Sequence, residues 1–312
     1  MQQKRELGQS GLAIAPLMLG GNVFGWTADE RVSHAVLDAF VDMGGDAIDT
    51  ADVYSNWAPG HAGGESERVI GSWLKASGKR ERVVIATKVG MWDKRLGIRR
   101  ENILAACDDS LSRLGVEAID LYQLHRDDKE TPPEEFVGAL KALHQGGKVR
   151  AVGLSNFEPA RLEAAIAEGK RQGLPIATLQ PEYNLMNRAI EAELMPICVR
   201  EKVSLIPFYG LASGYLTGKY RTEADKAKSL RGGRMDKYMQ GKGPTVLAAL
   251  DEVSARHGAT PAQVALAWIM AKPAVAAPIA SATSVEQLRE LLGALRLELS
   301  GDDVAALDRA SA

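Results

Sequence analysis

Eight short apolar runs, separated by longer amphipathic stretches, constrain the fold of this 312-residue chain more than any other feature. Continuous apolar runs, unlike alternating ones, indicate strands that are covered on both faces and therefore belong to a parallel sheet. The predicted strands are PLMLGG (16–21), DAIDT (46–50), RVVIATK (82–88), IDLYQLH (119–125), AVGLSN (151–156), ATLQ (177–180), SLIPFY (204–209) and VAAPIA (274–279).

The stretches between the strands have helical periodicity. Helices are predicted at 67–78, 101–115 and 133–147, with apolar residues on one face and glycines near their ends. Eight strand–helix units in about 300 residues predict a (β/α)8 TIM barrel, as a single domain over residues 1–312. A doubly wound sheet is the rival architecture, but its G-x-G-x-x-G turn occurs nowhere in the chain.

Composition excludes several classes of function. The chain is 46% hydrophobic with a net charge of −2, which is typical of a soluble protein and offers no basic surface for nucleic acid or membrane. Cys107 and Cys198 have no metal-binding or redox spacing. No apolar run reaches the roughly 18 residues of a membrane span. These features predict a cytoplasmic protein.

The N-terminal segment has some features of a signal peptide, because the apolar run GLAIAPLMLGG (11–21) follows the basic residues Lys4 and Arg5. Glu6 interrupts the basic region, Pro16 interrupts the apolar run, and no A-x-A site follows. We therefore predict a short N-terminal β-hairpin with its turn near Gly8–Gly11.

Ionisable residues end three of the predicted strands: Asp49, Lys88 and His125, with Tyr54 in the loop after Asp49. Each alone has an ordinary explanation, such as a turn residue, a solvated lysine or a core histidine. Together they favour catalysis, because barrel active sites form where the carboxyl ends of the strands meet.

The chemistry of this set is that of proton transfer to a carbonyl oxygen. A free tyrosine titrates near pKa 10, and an ammonium within about 4–6 Å is expected to lower that pKa. Asp49 would hold Lys88 in place, and a neutral His125 could donate to a carbonyl. The set is suited to protonating an oxygen as a hydride reaches its carbon, or to the reverse reaction on an alcohol.

With these residues in place, the chain resembles the aldo-keto reductase superfamily. DTADVY, VVIATK and IDLYQLH look like its aspartate–tyrosine, lysine and histidine segments. Further matching blocks are GKVRAVGLSNF (147–157), LQPEYNL (179–185), GYLTGKY (214–220) and SVEQLRELLGA (284–294). The resemblance implies a (β/α)8 barrel that reduces aldehydes and ketones with NAD(P)H. Tyr54 would be the general acid/base, Lys88 and Asp49 would tune it, and His125 would orient the carbonyl.

The resemblance also implies cofactor contacts, with NADP(H) expected and NAD(H) as a second cofactor. The nicotinamide would contact Ser155, Asn156, Gln180 and Phe208, and the pyrophosphate would lie along Leu211 and Ser213. The adenosine end would contact Lys219, Arg231, Ser281, Thr283, Gln287 and Glu290. Thr283 stands where many members have a basic residue, which is why discrimination against NADH is expected to be weak.

Substrate contacts are predicted from aromatic residues in the loops after the first three strands: Phe24, Trp26, Trp57 and Trp92. These side chains could line an apolar funnel for aldehydes, ketones or sugars, although at least one tryptophan is expected to pack beneath a loop instead. The long connection at about 217–246 is basic and is a candidate cofactor lid; a solvated surface loop is the alternative.

Two other functions compete with a reductase. One is a cofactor-binding regulatory subunit with the same fold and little turnover, which the resemblance allows. The other is a metal-dependent barrel enzyme, which would need several converging ligands, whereas Lys88 would repel a cation. We predict no metal and a small-molecule carbonyl or alcohol as the partner. Neither the physiological substrate nor the choice between monomer and homo-oligomer follows from the sequence.

Overall fold

The computed structural model describes residues 3–228 and 232–312. Its central sheet is parallel and has eight strands, and two short antiparallel hairpins accompany it. In chain order the strands are β1 (Arg5–Glu6), β2 (Ala13–Ile14), β3 (Met18–Gly20), β4 (Ala47–Asp49), β5 (Val84–Val89), β6 (Met91–Trp92), β7 (Arg95–Leu96), β8 (Ile119–Leu124), β9 (Val149–Ser155), β10 (Ile176–Gln180), β11 (Ser204–Leu205) and β12 (Ile279–Ala280).

The central sheet closes into a barrel. Its strands follow the order β11-β10-β9-β8-β5-β4-β3-β12, with parallel pairing throughout. The segment before β12 completes the ring: the amide of Leu205 donates to Ala274 at 2.8 Å, and that of Ala276 donates to Leu205 at 2.8 Å. The (β/α)8 barrel predicted from the strand count is confirmed.

Helices connect the strands and cover the outside of the barrel. They are α1 (Glu30–Asp42), α2 (Glu65–Ser77), α3 (Arg100–Leu114), α4 (Pro133–Gln145), α5 (Pro159–Gln172), α6 (Leu194–Glu201), α7 (Asp236–Met239), α8 (Gly243–His257), α9 (Pro261–Met270), α10 (Val285–Gly293) and α11 (Gly301–Ala310). The main hydrophobic core lies between these helices and the outward-facing strand residues, which is the usual arrangement of this fold. None of the helices in the described ranges is both long and apolar enough to cross a bilayer.

The predicted N-terminal hairpin is present as β1 and β2, and it seals one end of the barrel. Leu7 and Ile14 from this hairpin are fully buried in a cluster with the inward-facing Ala47, Ala86 and Ala177. The small side chains leave room at the centre of the barrel for the apolar hairpin residues. The hairpin therefore closes the amino-terminal end of the strands and leaves the opposite end for a site.

The strands SLIPFY and VAAPIA are shorter than predicted. Regular pairing covers only Ser204–Leu205 and Ile279–Ala280, because Pro207 and Pro278 have no amide hydrogen to donate to a ladder. The connection 217–246 also contains more structure than a plain loop. It includes 3-10 turns at Glu223–Lys228 and Gly232–Arg234, helix α7 and the start of α8.

Candidate active site

Three polar residues, Asp49, Lys88 and Gln123, face the inside of the barrel, because alternate residues of a strand point to the same face. Ala86 pairs with Leu121 and Lys88 pairs with Gln123 across β5 and β8, while Asp49 of β4 pairs with Ala86 on the other side. Because alternate residues face the same way, the polar residues lie just beyond the apolar layer that fills the barrel. This layer is at the carboxyl end of the strands, where barrel enzymes place their active sites.

The amine of Lys88 is fully enclosed, and each of its hydrogens has an acceptor. Nζ lies 2.7 Å from Oδ2 of Asp49, 2.7 Å from the carbonyl oxygen of Thr50 and 3.1 Å from the hydroxyl of Tyr54. Tyr54 in turn donates to Oδ2 of Asp49 at 3.3 Å. An ammonium has three donors, so these contacts satisfy it completely and fix its position. The structure brings Asp49, Tyr54 and Lys88 together, as the strand-end argument predicts.

A side-chain amide holds the second oxygen of Asp49. Nε2 of Gln180 donates to Oδ1 of Asp49 at 2.9 Å and lies 3.4 Å from Oε1 of Gln123. The family resemblance predicts that Gln180 lies beside a nicotinamide, and Gln123 is not among the predicted site residues. The missed signal was the alternation in IDLYQLH, which puts Gln123 on the same face as Leu121.

The electrostatics of the phenol differ from the sequence expectation of a lowered pKa. Burial raises the pKa of Tyr54 well above its usual value, and the nearby Asp49 carboxylate raises it further. Burial lowers the pKa of Lys88, while Asp49 opposes that change. Asp49 faces both groups and offsets the attraction that the ammonium exerts on a phenolate. Tyr54 is consequently a protonated phenol at neutral pH, the form that can donate a proton.

His125 stands at the rim beside Tyr54, with the ring centroids 6.0 Å apart. Burial lowers the pKa of His125 well below its usual value, and the positive charges of Lys88 and Arg126 add to the effect. The imidazole is therefore neutral at pH 7. Its Nδ1 is buried and has no hydrogen-bond partner among the described residues. Asn156 anchors the histidine backbone by donating from Nδ2 to its carbonyl at 2.9 Å.

Strained backbone is concentrated in the loops around this site. Ser55, Asn156, Tyr209, Ala212 and Ser213 all have positive φ, between 47° and 76°. Such conformations are rare for residues with a side chain, and they cluster at functional sites where surrounding contacts hold them. Successive left-handed residues can also form a concave nest of backbone N–H groups suited to a phosphate.

The residues predicted to hold the nicotinamide lie at the ends of neighbouring strands. Ser155 is buried and donates to the carbonyl of Gln180 at 2.8 Å, whereas the side chain of Asn156 is exposed. Phe208 is half-buried, and its ring meets that of Tyr209 edge-on at 5.1 Å. A flat aromatic face beside amide and hydroxyl groups suits a neutral carboxamide-bearing ring.

The residues predicted for the rest of the cofactor lie in two segments. Residues 212–214 have left-handed backbone. Leu211 directly precedes them, Ser213 among them is buried, and Lys219 follows as an exposed cation. Ser281 donates to Asn22 at 2.6 Å, and Thr283 bonds Gln287 at 3.0 Å through both its amide and hydroxyl. Glu290 is exposed, and Arg231 lies outside the described residues. A phosphate nest followed by an exposed lysine fits an extended, anionic dinucleotide.

The aromatic residues predicted to contact substrate divide into two groups. Trp57 is 47% exposed and packs edge-on against Trp26 at 5.6 Å and Tyr54 at 6.0 Å, so both tryptophans lie at the site. Phe24 is fully buried in the main core and does not line an opening. Trp92 is nearly buried and donates from Nε1 to the carbonyl of Ala62 at 3.0 Å, so it supports a loop.

Within the described ranges, no group of three or more His, Cys, Asp or Glu side chains has the arrangement of a metal site.

Comparison with known proteins gives a consistent assignment. The model of the Aldo/keto reductase family matches residues 16–312. Protein tas of Escherichia coli (strain K12) is 33% identical over an alignment covering 98% of this chain and 96% of the relative. The uncharacterized oxidoreductase YrpG of Bacillus subtilis is 33% identical, with 97% and 94% covered. The aldo-keto reductase yakc [NADP(+)] of Schizosaccharomyces pombe is 30% identical, with 91% and 83% covered. The chain therefore belongs to the aldo/keto reductase family.

Proposed function

We propose that this protein reduces aldehydes or ketones to alcohols, or oxidises alcohols in the reverse direction, with Tyr54 as the general acid/base. Membership of the family supports NADP(H)-dependent carbonyl reduction in general. The observation that carries the specific proposal is the position of the Lys88 amine, 2.7 Å from Asp49 and 3.1 Å from the Tyr54 hydroxyl in a fully buried setting.

In this proposal each residue has a defined task. A bound reduced nicotinamide supplies the hydride. The Tyr54 hydroxyl gives its proton to the carbonyl oxygen as negative charge develops there. Lys88 already contacts the Tyr54 oxygen at 3.1 Å, so it stabilises the phenolate that remains. Asp49 keeps the ammonium in place, and neutral His125 orients the carbonyl by donating a hydrogen bond.

For the cofactor we propose NADP(H), with NAD(H) accepted less well. Lys219 is an exposed cation that follows the left-handed segment at 212–214, which supports an interaction with a ribose phosphate. Thr283 and Gln287 bond each other and add no charge, which is consistent with weak discrimination. Lys219→Gln should raise the KM for NADPH about 5- to 30-fold, which corresponds to the loss of about 1–2 kcal/mol from one charged hydrogen bond, and should leave the KM for NADH nearly unchanged.

The decisive test follows the absorbance of reduced nicotinamide with NADPH or NADH and a panel of aldehydes and ketones. Wild type should turn over at least part of the panel, and Tyr54→Phe should lose about 10²–10⁴-fold in kcat while still binding cofactor. Unchanged turnover in Tyr54→Phe would overturn the assignment of the proton donor. Tight cofactor binding with no turnover across the panel would favour a regulatory subunit instead.

We also propose that the described parts of the connection, 217–228 and 232–246, cover the bound cofactor. The connection follows β11 at the same rim as the catalytic residues. Two of its cations pair with acids of the protein: Arg221 forms a two-pronged ion pair with Asp251 at 2.7 and 2.9 Å, and Lys226 pairs with Asp236. Exposed ion pairs of this kind contribute little to stability, so they can rearrange around an anionic ligand.

A further inference from the structure

A carboxyl group that the proposed mechanism does not use lies directly behind the catalytic residues. Asp52 sits between Asp49 and Tyr54 in the chain and is 0% exposed. Neither of its carboxyl oxygens has a hydrogen-bond partner among the described residues. Its backbone amide donates to the carbonyl of Lys88 at 3.2 Å, so its position is tied to the strand that carries the catalytic lysine.

The residues that surround Asp52 do not neutralise a negative charge there. Glu67 of α2 is fully buried, and its carboxylate already accepts from Thr87 at 2.6 Å and from Arg113 of α3 at 2.5 Å. Arg113 is thus committed to Glu67 and also donates to Ser110 at 3.1 Å. A buried carboxylate without hydrogen bonds is strongly disfavoured, so Asp52 is held in its neutral form.

The charged groups on the neighbouring elements act on the pKa of Asp52 in both directions, and burial has the largest effect. Burial raises the pKa of Asp52 to about 8, and the charge of Glu67 raises it further. Arg113, Lys88 and the amide of Val53, which falls short of hydrogen-bond geometry, oppose that rise. Tyr122 of β8 stays neutral beside it, because burial holds the pKa of Tyr122 well above its usual value and the charge of an ionised Asp52 raises it further.

The charge on Asp52 reaches the catalytic residues. An ionised Asp52 raises the pKa of Tyr54, in addition to the larger effects of burial and of Asp49. It also favours the charged form of Lys88, which opposes part of this effect on Tyr54. A second negative charge near the site therefore makes Tyr54 a weaker proton donor.

We propose that Asp52 is a positioning residue whose protonation state controls proton donation by Tyr54: neutral Asp52 permits carbonyl reduction, and ionised Asp52 suppresses it. This inference rests on the proposed function of Tyr54. Asp52 does not contact substrate or exchange a proton with it. It acts through the electrostatic potential at the Tyr54–Lys88 pair, and its own proton is released to solvent.

The first experiment is a pH profile of kcat/KM for carbonyl reduction with saturating NADPH. Wild type should lose activity above about pH 8 and level off at a lower rate, because ionised Asp52 weakens proton donation by Tyr54 without removing the donor. Asp52→Asn, which cannot ionise, should remain flat through the same range. Asp42→Asn is the matched control, since the Asp42 side chain is 62% exposed and should leave the profile unchanged. An alkaline limb that is identical in Asp52→Asn and wild type would overturn the inference.

A second variant covers the case in which Asp52→Asn does not fold. Glu67→Gln keeps one oxygen to accept from Arg113 and gains an NH2 group that can donate to the Thr87 hydroxyl, and it removes the charge that disfavours ionisation of Asp52. The alkaline limb should therefore move to lower pH. A limb that stays in place would count against the proposal.

An activity-independent measurement separates this inference from the function on which it rests. Between the ordinary aspartate pKa near 3.9 and about 8, the folded protein retains a proton that the unfolded chain releases. As the pH rises from about 5 to 8, the urea midpoint of wild type should accordingly decrease relative to that of Asp52→Asn. Tyr54→Phe should keep this dependence while losing turnover. If Tyr54→Phe is active and the urea midpoint still differs in its pH dependence between wild type and Asp52→Asn, the proposed proton donor is wrong. If the midpoint changes equally with pH in wild type and Asp52→Asn, the role of Asp52 is rejected.

Discussion

Gln180 and Asp49 are 131 residues apart in the chain, yet the Gln180 amide donates to Oδ1 of Asp49 at 2.9 Å. The other oxygen of Asp49 accepts from Lys88 at 2.7 Å. The carboxylate is thus fixed from both sides, and it can hold the ammonium against the Tyr54 hydroxyl without turning. Asp49 lies on β4 and Lys88 on the neighbouring β5, whereas Gln180 lies on β10, which is separated from β4 by three strands. The geometry proposed for proton transfer therefore depends on correct barrel closure.

Removing the amide donor should loosen Asp49. Gln180→Leu is expected to lower the free energy of unfolding by about 1–3 kcal/mol, because one oxygen of a buried carboxylate loses its donor. The kcat should fall with it. Gln180→Glu can donate only when protonated, so its activity should recover towards low pH while that of Gln180→Leu does not. Equal pH profiles for the two variants would argue against a positioning role for Gln180.

Removing the ammonium should affect stability and activity differently. Lys88→Met leaves Asp49 buried without its counter-ion, which is expected to cost about 3–5 kcal/mol of folding free energy. The double variant Asp49→Asn with Lys88→Met should recover part of that loss, since no uncompensated charge remains. Turnover should stay low in both. The measurements are urea unfolding and single-turnover kinetics, and a double variant as unstable as the sum of the single ones would contradict the coupling.

The clustering of the proposed catalytic residues was predictable from sequence because its signals are local. Apolar runs that end in Asp49, Lys88 and His125 define both the strands and their carboxyl ends. The orientation of the loop side chains was harder to predict from the sequence. Phe24 and Trp92 follow their strands as Trp57 follows its own, but tertiary packing buries the first two and leaves Trp57 47% exposed. No local pattern distinguishes these cases.

The predicted lowering of the Tyr54 pKa was wrong for a related reason. Sequence order suggested that Lys88 would dominate the acidity of Tyr54. In the folded chain, burial and the Asp49 oxygen 3.3 Å from the same hydroxyl outweigh it. Burial and simultaneous contacts depend on three-dimensional distance, which spacing along a chain does not provide. The same applies to Asp52, whose isolation follows only from the packing of α2 and α3 around it.

The buried imidazole should make stability depend on pH. Burial lowers the pKa of His125, so the unfolded chain takes up a proton near the ordinary pKa of about 6.5 while the folded chain does not. Below about pH 6.5 the free energy of unfolding of wild type should therefore decrease relative to that of His125→Gln, by up to about 1.4 kcal/mol per pH unit. The comparison with the variant isolates this contribution from that of Asp52, which has the opposite sign in this range. Urea titrations at pH 5, 6 and 7 measure the difference, and parallel curves for the two proteins would contradict the assignment.

The two groups of tryptophans should respond differently to truncation. Trp57→Ala removes an exposed aromatic face at the site, so KM for an aromatic aldehyde should rise about 3- to 10-fold with little change in stability. Trp92→Ala removes a buried side chain and its bond to Ala62, and should cost about 3–5 kcal/mol. Thermal unfolding and steady-state kinetics on both variants test the distinction. A Trp57→Ala protein with unchanged KM would place the substrate elsewhere.

The proposed cofactor cover can be tested by limited proteolysis. Trypsin should cut within 217–246 more slowly when NADPH is bound, because a segment that closes over the cofactor has fewer open conformations available to the protease. Arg221→Gln breaks the two-pronged pair with Asp251 and should speed cleavage at the remaining sites when cofactor is absent. Saturating NADPH should still protect these sites in Arg221→Gln. Lys148→Gln is the control, because Lys148 directly precedes β9 at the opposite end of the strands and pairs there with Asp108. Cleavage within 217–246 in this variant should resemble wild type with and without cofactor. If NADPH leaves the rate of cutting within 217–246 unchanged in wild type, this segment does not close over the cofactor.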